Sequence, residues 1–353
     1  MPQAWEPEPY VVVPGRSTAP PPAAPPEPPP LAESVEVPVY RPAHPAPTHR
    51  RRMWPLVLVI VGASVAWSWG DLVSLAEAFR ADRAPAYELP AASSLSAEAP
   101  ADGYPILGST DLVRHFEREL MAQTRSIEVT EWVGLNDDLD AVWDAYAEAL
   151  TQNPYLYVES TSAYRRPGHV ELIPHYTYDA EEAERRRAVT VSAARAGLDA
   201  AGVADAPDAA TKVERIYGYI AAVAEYDDAA ALEIEAGTSS DRVSHSQEAY
   251  SILVDGYAVC GGYAKAFLAM AHLAGLEAIE VTGSDSAGQF GGSHAWNKVK
   301  VDGAWRLVDI TWDDAGAYAA DDYLLLGSGD PILSTRAEDS DWMTDTQMAA
   351  FRG

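Results

Sequence analysis

The chain has 353 residues, of which 48% are hydrophobic and 22% are charged. This length accommodates one or two globular domains with full hydrophobic cores. The formal net charge of −28 would repel a phosphate backbone and argues against nucleic acid as a partner. The single cysteine, Cys260, excludes both an intramolecular disulfide and a cysteine-rich zinc module.

Residues 1–53 are rich in proline and have little apolar periodicity. Sixteen of the 26 prolines fall within the first 50 residues. A segment of this composition cannot bury enough apolar surface to form a core. We therefore expect residues 1–53 to be a disordered arm with partial polyproline II character.

Residues 54–75 are predicted to form a single transmembrane signal-anchor helix. Its first 17 residues, Trp54 to Gly70, carry no charge and follow three consecutive arginines at 50–52. A bilayer is spanned by about 17 to 25 residues, so an uncharged stretch of 17 is at the short end of this range. A buried core helix and a secretory signal segment are therefore the alternatives. The arginines and the flanking tryptophans favour a membrane span with a cytoplasmic N-terminus and an extracytoplasmic remainder. Cleavage at the A-x-A-like sequence 76–78 would instead release that remainder.

The net negative charge lies entirely after the predicted span. Five arginines and five glutamates cancel within residues 1–53, so residues 71–353 carry the whole −28. Such a surface attracts cationic substrates or simply keeps the domain soluble. Residues 76–103 are rich in alanine, proline and serine, which is typical of a linker.

Residues 104–203 are predicted to form an α/β region. Apolar residues at helical spacing indicate amphipathic helices, and segments of alternating polarity indicate strands. The segments YLYVESTSAY and HVELIPHYTY, joined by RRPG, predict a β-hairpin. The predicted helices lie near 110–123, 137–151, 180–201 and 209–224, and a further strand is expected over the sequence SIEVTEWV.

Cys260 is the first residue of the next predicted helix, which runs to about residue 274 and has Gly275 as a C-terminal cap. Unpaired N–H groups and the positive end of the helix dipole lie at a helix N-terminus, and both stabilise a thiolate. This position favours a reactive thiol. The alternative is a small apolar side chain packed in the core.

His294 and Asp309 supply a base and an orienting carboxylate for such a thiol. The segments HAWNKVKV and AWRLVDIT that contain them are joined by Asp302-Gly303, a pair typical of a two-residue hairpin turn. With that loop, His294 and Asp309 are diagonal neighbours on one face, with Cβ atoms roughly 5 to 8 Å apart. A one-residue bulge would place them on opposite faces.

Three segments of the chain resemble the bacterial branch of the transglutaminase-like superfamily, which has a papain-like fold. They are VCGGYAKAF from Val259, HAWN from His294 and WRLVDITWDD from Trp305. The similarity extends over about residues 205–330 and includes Tyr226-Asp227.

This resemblance implies an α+β architecture, with a helix carrying the cysteine packed on an antiparallel sheet carrying the histidine and aspartate. It implies that Cys260 is the nucleophile, His294 the general base and acid, and Asp309 the residue that orients the imidazole. We place the transglutaminase-like domain at 204–330 and a C-terminal tail at 331–353.

The predicted chemistry is attack of the thiolate on an amide carbonyl to give a thioester. The acyl group of this thioester is then transferred either to water or to an amine, and the sequence does not decide which. Proteins and cell-wall peptides are both open as substrates. The alternative function is a noncatalytic binding or scaffold module at the cell envelope. No metal ion or cofactor is predicted.

Further residues are candidates for the oxyanion site or the cleft. Tyr250, Gly261 and Trp296 are the principal ones, although a packing role is the alternative for Tyr250 and Trp296. Gln247 resembles a papain-like oxyanion glutamine only weakly, because it precedes Cys260 by 13 residues. His245 is expected on a solvated loop, and a place in the lining of the cleft is the alternative. The glycine-rich sequence AGQFGGSH before His294 predicts a mobile connection that gates the site or only links two strands.

Overall fold

The computed structural model describes residues 10–12, 87–133, 139–285, 292–314, 321–339 and 343–345. The predicted membrane helix at 54–75 and nearly all of the predicted arm at 1–53 lie outside these ranges. Within them, no helix has the length and apolar character needed to cross a bilayer.

The first part of the described chain combines two amphipathic helices with an antiparallel sheet. Helices α1 and α2 agree with the predicted segments, and so does the hairpin of β3 and β4. The predicted strand at 126–133 is mostly wrong, because only two residues pair with β4 before the chain turns into a 3₁₀ segment. The elements are β1 (Tyr10–Val12), α1 (Asp111–Met121), β2 (Ile127–Glu128), α2 (Asp140–Gln152), β3 (Val158–Arg166) and β4 (His169–Tyr176), with sheet order β1-β3-β4-β2.

Residues 87–104 lie against the folded core, although most of them fall in the predicted linker at 76–103. The Tyr87 ring packs edge-on against Tyr219 at 5.3 Å between centroids. The Tyr104 hydroxyl donates to Glu184 at 2.7 Å. This part of the chain therefore has specific contacts of its own.

Two long helices follow, as the apolar periodicity predicts. They are α3 (Ala180–Ala200) and α4 (Ala209–Val223), whose N-caps Asp179 and Asp208 each accept a hydrogen bond from a backbone N–H three residues on. Shorter elements lead on to the cysteine: β5 (Glu225–Tyr226), α5 (Asp228–Glu235), α6 (Asp241–Ser246), a π-helical turn (Ser251–Asp255) and β6 (Tyr257–Ala258), which pairs in parallel with β5.

Helix α7 (Cys260–Leu273) is the central helix of the core. Residues 261–264 and 266–271 along it are buried, and it packs against α3 and α4 as well as a second sheet. It ends before Gly275, which has a φ of 75° as expected of a C-terminal cap. The predicted start and end of this helix are confirmed.

The second sheet is antiparallel and has the order β10-β7-β8-β9. Val301 pairs with Ala304 and Asn297 with Val308, so the two-residue loop and its predicted register are confirmed. Asp302 and Gly303 in that loop both have positive φ. The elements are β7 (Ala278–Asp285), β8 (Gly292–Val301), β9 (Ala304–Val308), α8 (Ile310–Asp314) and β10 (Arg336–Glu338). The last strand lies beyond the predicted domain end at residue 330.

Candidate active site

Cys260 lies at the first position of α7 and is half-buried. The preceding residue, Val259, offers no side-chain cap, so no capping side chain occupies the first N–H groups of the helix. Gly262 permits the close packing here, because a Cβ on it would lie 2.7 Å from the carbonyl oxygen of Ser246. The thiol is therefore held at a helix N-terminus that has kept its hydrogen-bonding capacity.

His294 from β8 and Asp309 at the end of β9 meet beside this helix. The imidazole Nε2 donates to the Asp309 Oδ2 at 2.8 Å. The His294 side chain is 10% exposed and that of Asp309 is 1% exposed. The two residues are thus neighbours on one face, as the hairpin register predicts.

The buried pair shifts the titration of both groups. Burial by itself lowers the pKa of His294, but the Asp309 carboxylate, its hydrogen bond and an interaction with Cys260 raise that pKa to about 10. For Asp309, burial acts to raise the pKa, yet His294 and Arg336 together lower it. The imidazole is consequently a cation and the carboxylate an anion at neutral pH.

The two ring nitrogens of His294 have different partners. Nε2 is taken by Asp309, while Cys260 contributes to the raised pKa of the ring. Nδ1 is therefore the atom available to the thiol. A protonated imidazole in this arrangement stabilises a thiolate, and Asp309 keeps the ring aimed at it.

Aromatic side chains hold the imidazole in place. The Trp296 ring is stacked on His294 at 5.8 Å between centroids, and the Trp312 ring meets it edge-on at 6.1 Å. Trp296 is only 1% exposed, so it packs behind the imidazole and does not form an open cleft wall. These contacts restrict rotation of the ring.

Residues 197–310 match the family model described as the transglutaminase-like superfamily. This part of the chain is a transglutaminase-like domain. The matched range includes Cys260, His294 and Asp309.

The transglutaminase-like domain has curated relatives and a structural neighbour. Human kyphoscoliosis peptidase is 36% identical over 132 residues, which is 34% of this chain and 18% of that protein. The mouse protein is 33% identical over 111 residues, which is 29% of this chain and 15% of that protein. The chain thus corresponds to less than a fifth of these relatives. A crystal structure of a TGase is 18% identical with a TM-score of 0.34, covering 44% of each chain.

Tyr250 and His245 lie together, in contact with a pair of arginines. The Tyr250 ring is 6.0 Å from the His245 ring and 4.6 Å from the Arg186 guanidinium. His245 Nε2 is 2.9 Å from Asp255 Oδ2, so His245 belongs to a helix and an ion pair, contrary to the expected solvated loop. Neither set of contacts involves the thiol.

Two cavities that share lining residues form a groove in this part of the chain. A cavity of about 780 Å³ is lined by Tyr250 and His245, and a second of about 400 Å³ is lined by Tyr226. Arg242 and Tyr257 border both cavities. Burial raises the pKa of Tyr226, and the nearby Cys260 adds to this effect. The groove therefore ends at Tyr226, and Cys260 is not among the residues that line it.

Two polar residues near the site have positions that sequence alone did not settle. Gln247 lies beside the N-terminus of α7, with its Oε1 3.1 Å from the position a Cβ on Gly261 would occupy. Arg336 donates to the Asp309 Oδ2 at 2.5 Å. Sequence reasoning missed Arg336, because it is 27 residues from Asp309 and outside every local motif. The predicted gating connection at 286–291 lies outside the described residues.

Proposed function

We propose that this protein is a membrane-anchored thiol enzyme that acts on amide bonds of proteins or cell-wall peptides through a Cys260 thioester. The observation that carries the proposal is the hydrogen bond between His294 and the buried Asp309 carboxylate, in a position where Cys260 also contributes to the raised pKa of the imidazole. An imidazole shared in this way activates a thiol, whereas a structural cysteine has no need of it. The predicted span at 54–75 would place the domain outside the cytoplasm.

In the first step, the Cys260 thiolate attacks the carbonyl carbon of the substrate amide. The carbonyl oxygen becomes a tetrahedral oxyanion, which needs hydrogen-bond donors. The backbone N–H of Cys260 at the start of α7 is one donor. The Gln247 side chain, which lies beside Gly261, is the second donor that we assign. Tyr250 receives no part in this step, since its contacts are with His245 and arginines.

In the second step, the His294 imidazolium gives its Nδ1 proton to the leaving amine as the carbon–nitrogen bond breaks. The product is an acyl thioester on Cys260. Water or a primary amine then attacks this thioester, the carbon–sulfur bond breaks, and His294 takes up the proton released by the attacking group. Hydrolysis and cross-linking differ only in this acceptor.

The groove that ends at Tyr226 is the site that we assign to the acyl donor. Tyr226 and Tyr257 supply aromatic surface, and Arg242 is held between the two cavities by its ion pair with Asp227 at 2.5 Å. Tyr257 is 43% exposed, so it remains accessible to a bound chain. Two adjoining cavities that share Arg242 and Tyr257 suit an extended peptide better than a small compact ligand.

Alkylation of the single thiol by iodoacetamide tests the proposed function on the full chain in detergent. We expect fast labelling at pH 6 to 7, where an ordinary cysteine is mostly protonated. His294→Ala should slow labelling by roughly 10²-fold, because the thiolate loses its counter-ion. The matched control is His272→Ala, which removes another histidine from the far end of the same helix.

Slow labelling of the wild type, with the pH dependence of a free cysteine and no effect of His294→Ala, would contradict the enzyme and favour the noncatalytic module. If labelling is fast, a fluorescent primary amine incubated with envelope extract should become attached to the acyl donor. Mass spectrometry then identifies that donor, and Cys260→Ala provides the blank.

A further inference from the structure

Arg336 connects the C-terminal part of the chain to the site. It is the first residue of β10, which pairs antiparallel with β7 and brings Arg336 opposite Asp285. This strand lies outside the residues 197–310 that match the family model. The contact with Asp309 is therefore made by a segment that the family match does not include.

The Arg336 guanidinium is shared by two buried carboxylates. Its Nη2 is 2.5 Å from the Asp309 Oδ2 and 3.3 Å from the Asp285 Oδ2. The three side chains are between 1% and 3% exposed. With the protonated His294, two cations face two carboxyl groups, so the charges balance inside the protein.

The oxygen that Arg336 holds is the one that accepts the hydrogen bond from His294. Both groups donate to the Oδ2 of Asp309. The Arg336 Nη2 and the His294 Nε2 thus hold the same carboxylate oxygen from two sides. The Arg336 guanidinium also lies 5.6 Å from the centre of the Trp296 ring, which itself stacks on the imidazole.

The neighbouring residues are adapted to this strand. Gly283 in β7 leaves room for it, because a Cβ there would collide with the backbone of β10 and would lie 2.8 Å from Trp296. The buried Lys298 forms a second link, with its Nζ 2.6 Å from the Glu338 Oε1. Strand β10 thus has the two buried ion pairs of Arg336 and a third pair between the buried Lys298 and the partly exposed Glu338, and of these the pair with Asp309 reaches the site.

We propose that Arg336 is a positioning residue for the reaction at Cys260, which holds Asp309 in the orientation that keeps His294 aimed at the thiol. The inference rests on the proposed function, and it makes the C-terminal strand a part of the active site.

The test compares Arg336→Met and Arg336→Lys with the wild type in the full chain. The first readout is an NMR titration of the His294 ring. If Asp309 loses its orientation, the imidazolium loses its partner, and the pH at which His294 gives up its proton should fall. If Asp309 stays in place and only a positive charge has gone, that pH should stay the same or rise. A fall therefore supports positioning, and an unchanged or higher value overturns it.

The second readout is the rate of iodoacetamide alkylation across the pH range. We expect Arg336→Met to be slower by roughly 10-fold to 100-fold, because small displacements of aligned groups have effects of this size. Arg336→Lys should show a smaller loss, since the ammonium keeps the positive charge but lacks the planar geometry of the guanidinium. If Arg336→Met does not fold, Arg336→Lys decides, and a wild-type titration and rate in that variant overturn the proposal.

Glu338→Gln is the matched control, because it breaks the ion pair between β10 and Lys298 without touching Asp309. We expect a lower thermal midpoint but a wild-type His294 titration and labelling profile. If Glu338→Gln changes the His294 titration and the labelling rate as Arg336→Met does, the positioning role is overturned. Weaker pairing of β10 as a whole would then explain both variants. If the thiol of the wild-type protein is unreactive, the proposed function is contradicted. The His294 titration does not depend on thiol reactivity and still tests the role of Arg336.

Discussion

Two carboxylates, one in each sheet-containing region, are almost completely buried and have very different partners. Glu117 in α1 is 0% exposed, and its Oε2 accepts hydrogen bonds from the backbone N–H groups of Leu107 and Gly108 at 2.8 Å. Asp309 is 1% exposed, and its Oδ2 accepts from His294 and Arg336. The first is surrounded by peptide dipoles and the second by cations.

The partners determine the direction of the pKa shift. Burial raises the pKa of Glu117, and the hydrogen bonds from Gly108 and Asn153 only partly oppose it. Burial also acts to raise the pKa of Asp309, but the cations outweigh it and lower the pKa. A buried carboxylate satisfied by the backbone stabilises local structure, whereas one that faces a titratable cation can control a proton.

The largest effect that tests this comparison is expected for Asp309→Asn. The amide keeps the shape but loses the charge that holds the imidazolium, so turnover should fall by roughly 10²-fold to 10⁴-fold. Steady-state assay on the acyl donor, or Cys260 alkylation in its absence, measures the loss. The matched change Glu117→Gln should leave the thiol reactivity at the wild-type level. Equal losses in both variants would mean that the two carboxylates do not differ in role.

A smaller effect, on stability alone, is expected for Glu117→Ala. The change leaves the N–H groups of Leu107 and Gly108 and the amide of Asn153 without their buried acceptor. The free energy of unfolding should fall by about 3 kcal/mol, as measured by urea denaturation. A folded Glu117→Ala protein should still be alkylated with the wild-type pH profile, and a changed profile would count against the comparison.

The last effect, which is seen only as a pH dependence of stability, concerns Glu280 in β7, a buried carboxyl group whose Oε2 has no hydrogen-bond partner among the described residues. Burial raises its pKa to about 7, against a weaker opposing effect of Lys265. The folded state therefore binds this proton more tightly than the unfolded chain, and stability is lost as the pH rises from about 4 to about 7. Glu280→Gln should remove that loss and stabilise the protein at pH 8 by on the order of 3 kcal/mol relative to its effect at pH 4.

Urea denaturation at the two pH values measures the difference for Glu280→Gln. The control is Glu277→Gln, since Glu277 lies close by in sequence and pairs with Lys300 at the surface. A gain in Glu280→Gln that does not change with pH would show that Glu280 is not protonated in the folded state near pH 6.

The accuracy of the sequence predictions depended on how local the determining interactions are. Helices α1, α2, α3, α4 and α7 follow from apolar spacing and end signals that lie within the segments themselves. The hairpin of β8 and β9 follows from the Asp302-Gly303 turn in the same way. The strand over 126–133 was overestimated, because its alternation is local but its pairing partner β4 reaches only two of its residues.

The sequence by itself determined where the thiol, the imidazole and the carboxylate lie along the chain, since a helix start and a two-residue turn are specified by residues next to them. Only the tertiary structure decided that Trp296 packs behind His294, that Tyr250 contacts arginines, and that Arg336 reaches Asp309. The physical reason is that these contacts depend on how distant elements pack, and the pairing of β10 with β7 joins segments some 50 residues apart. A short sequence motif cannot specify a contact between residues that are so far apart in the chain.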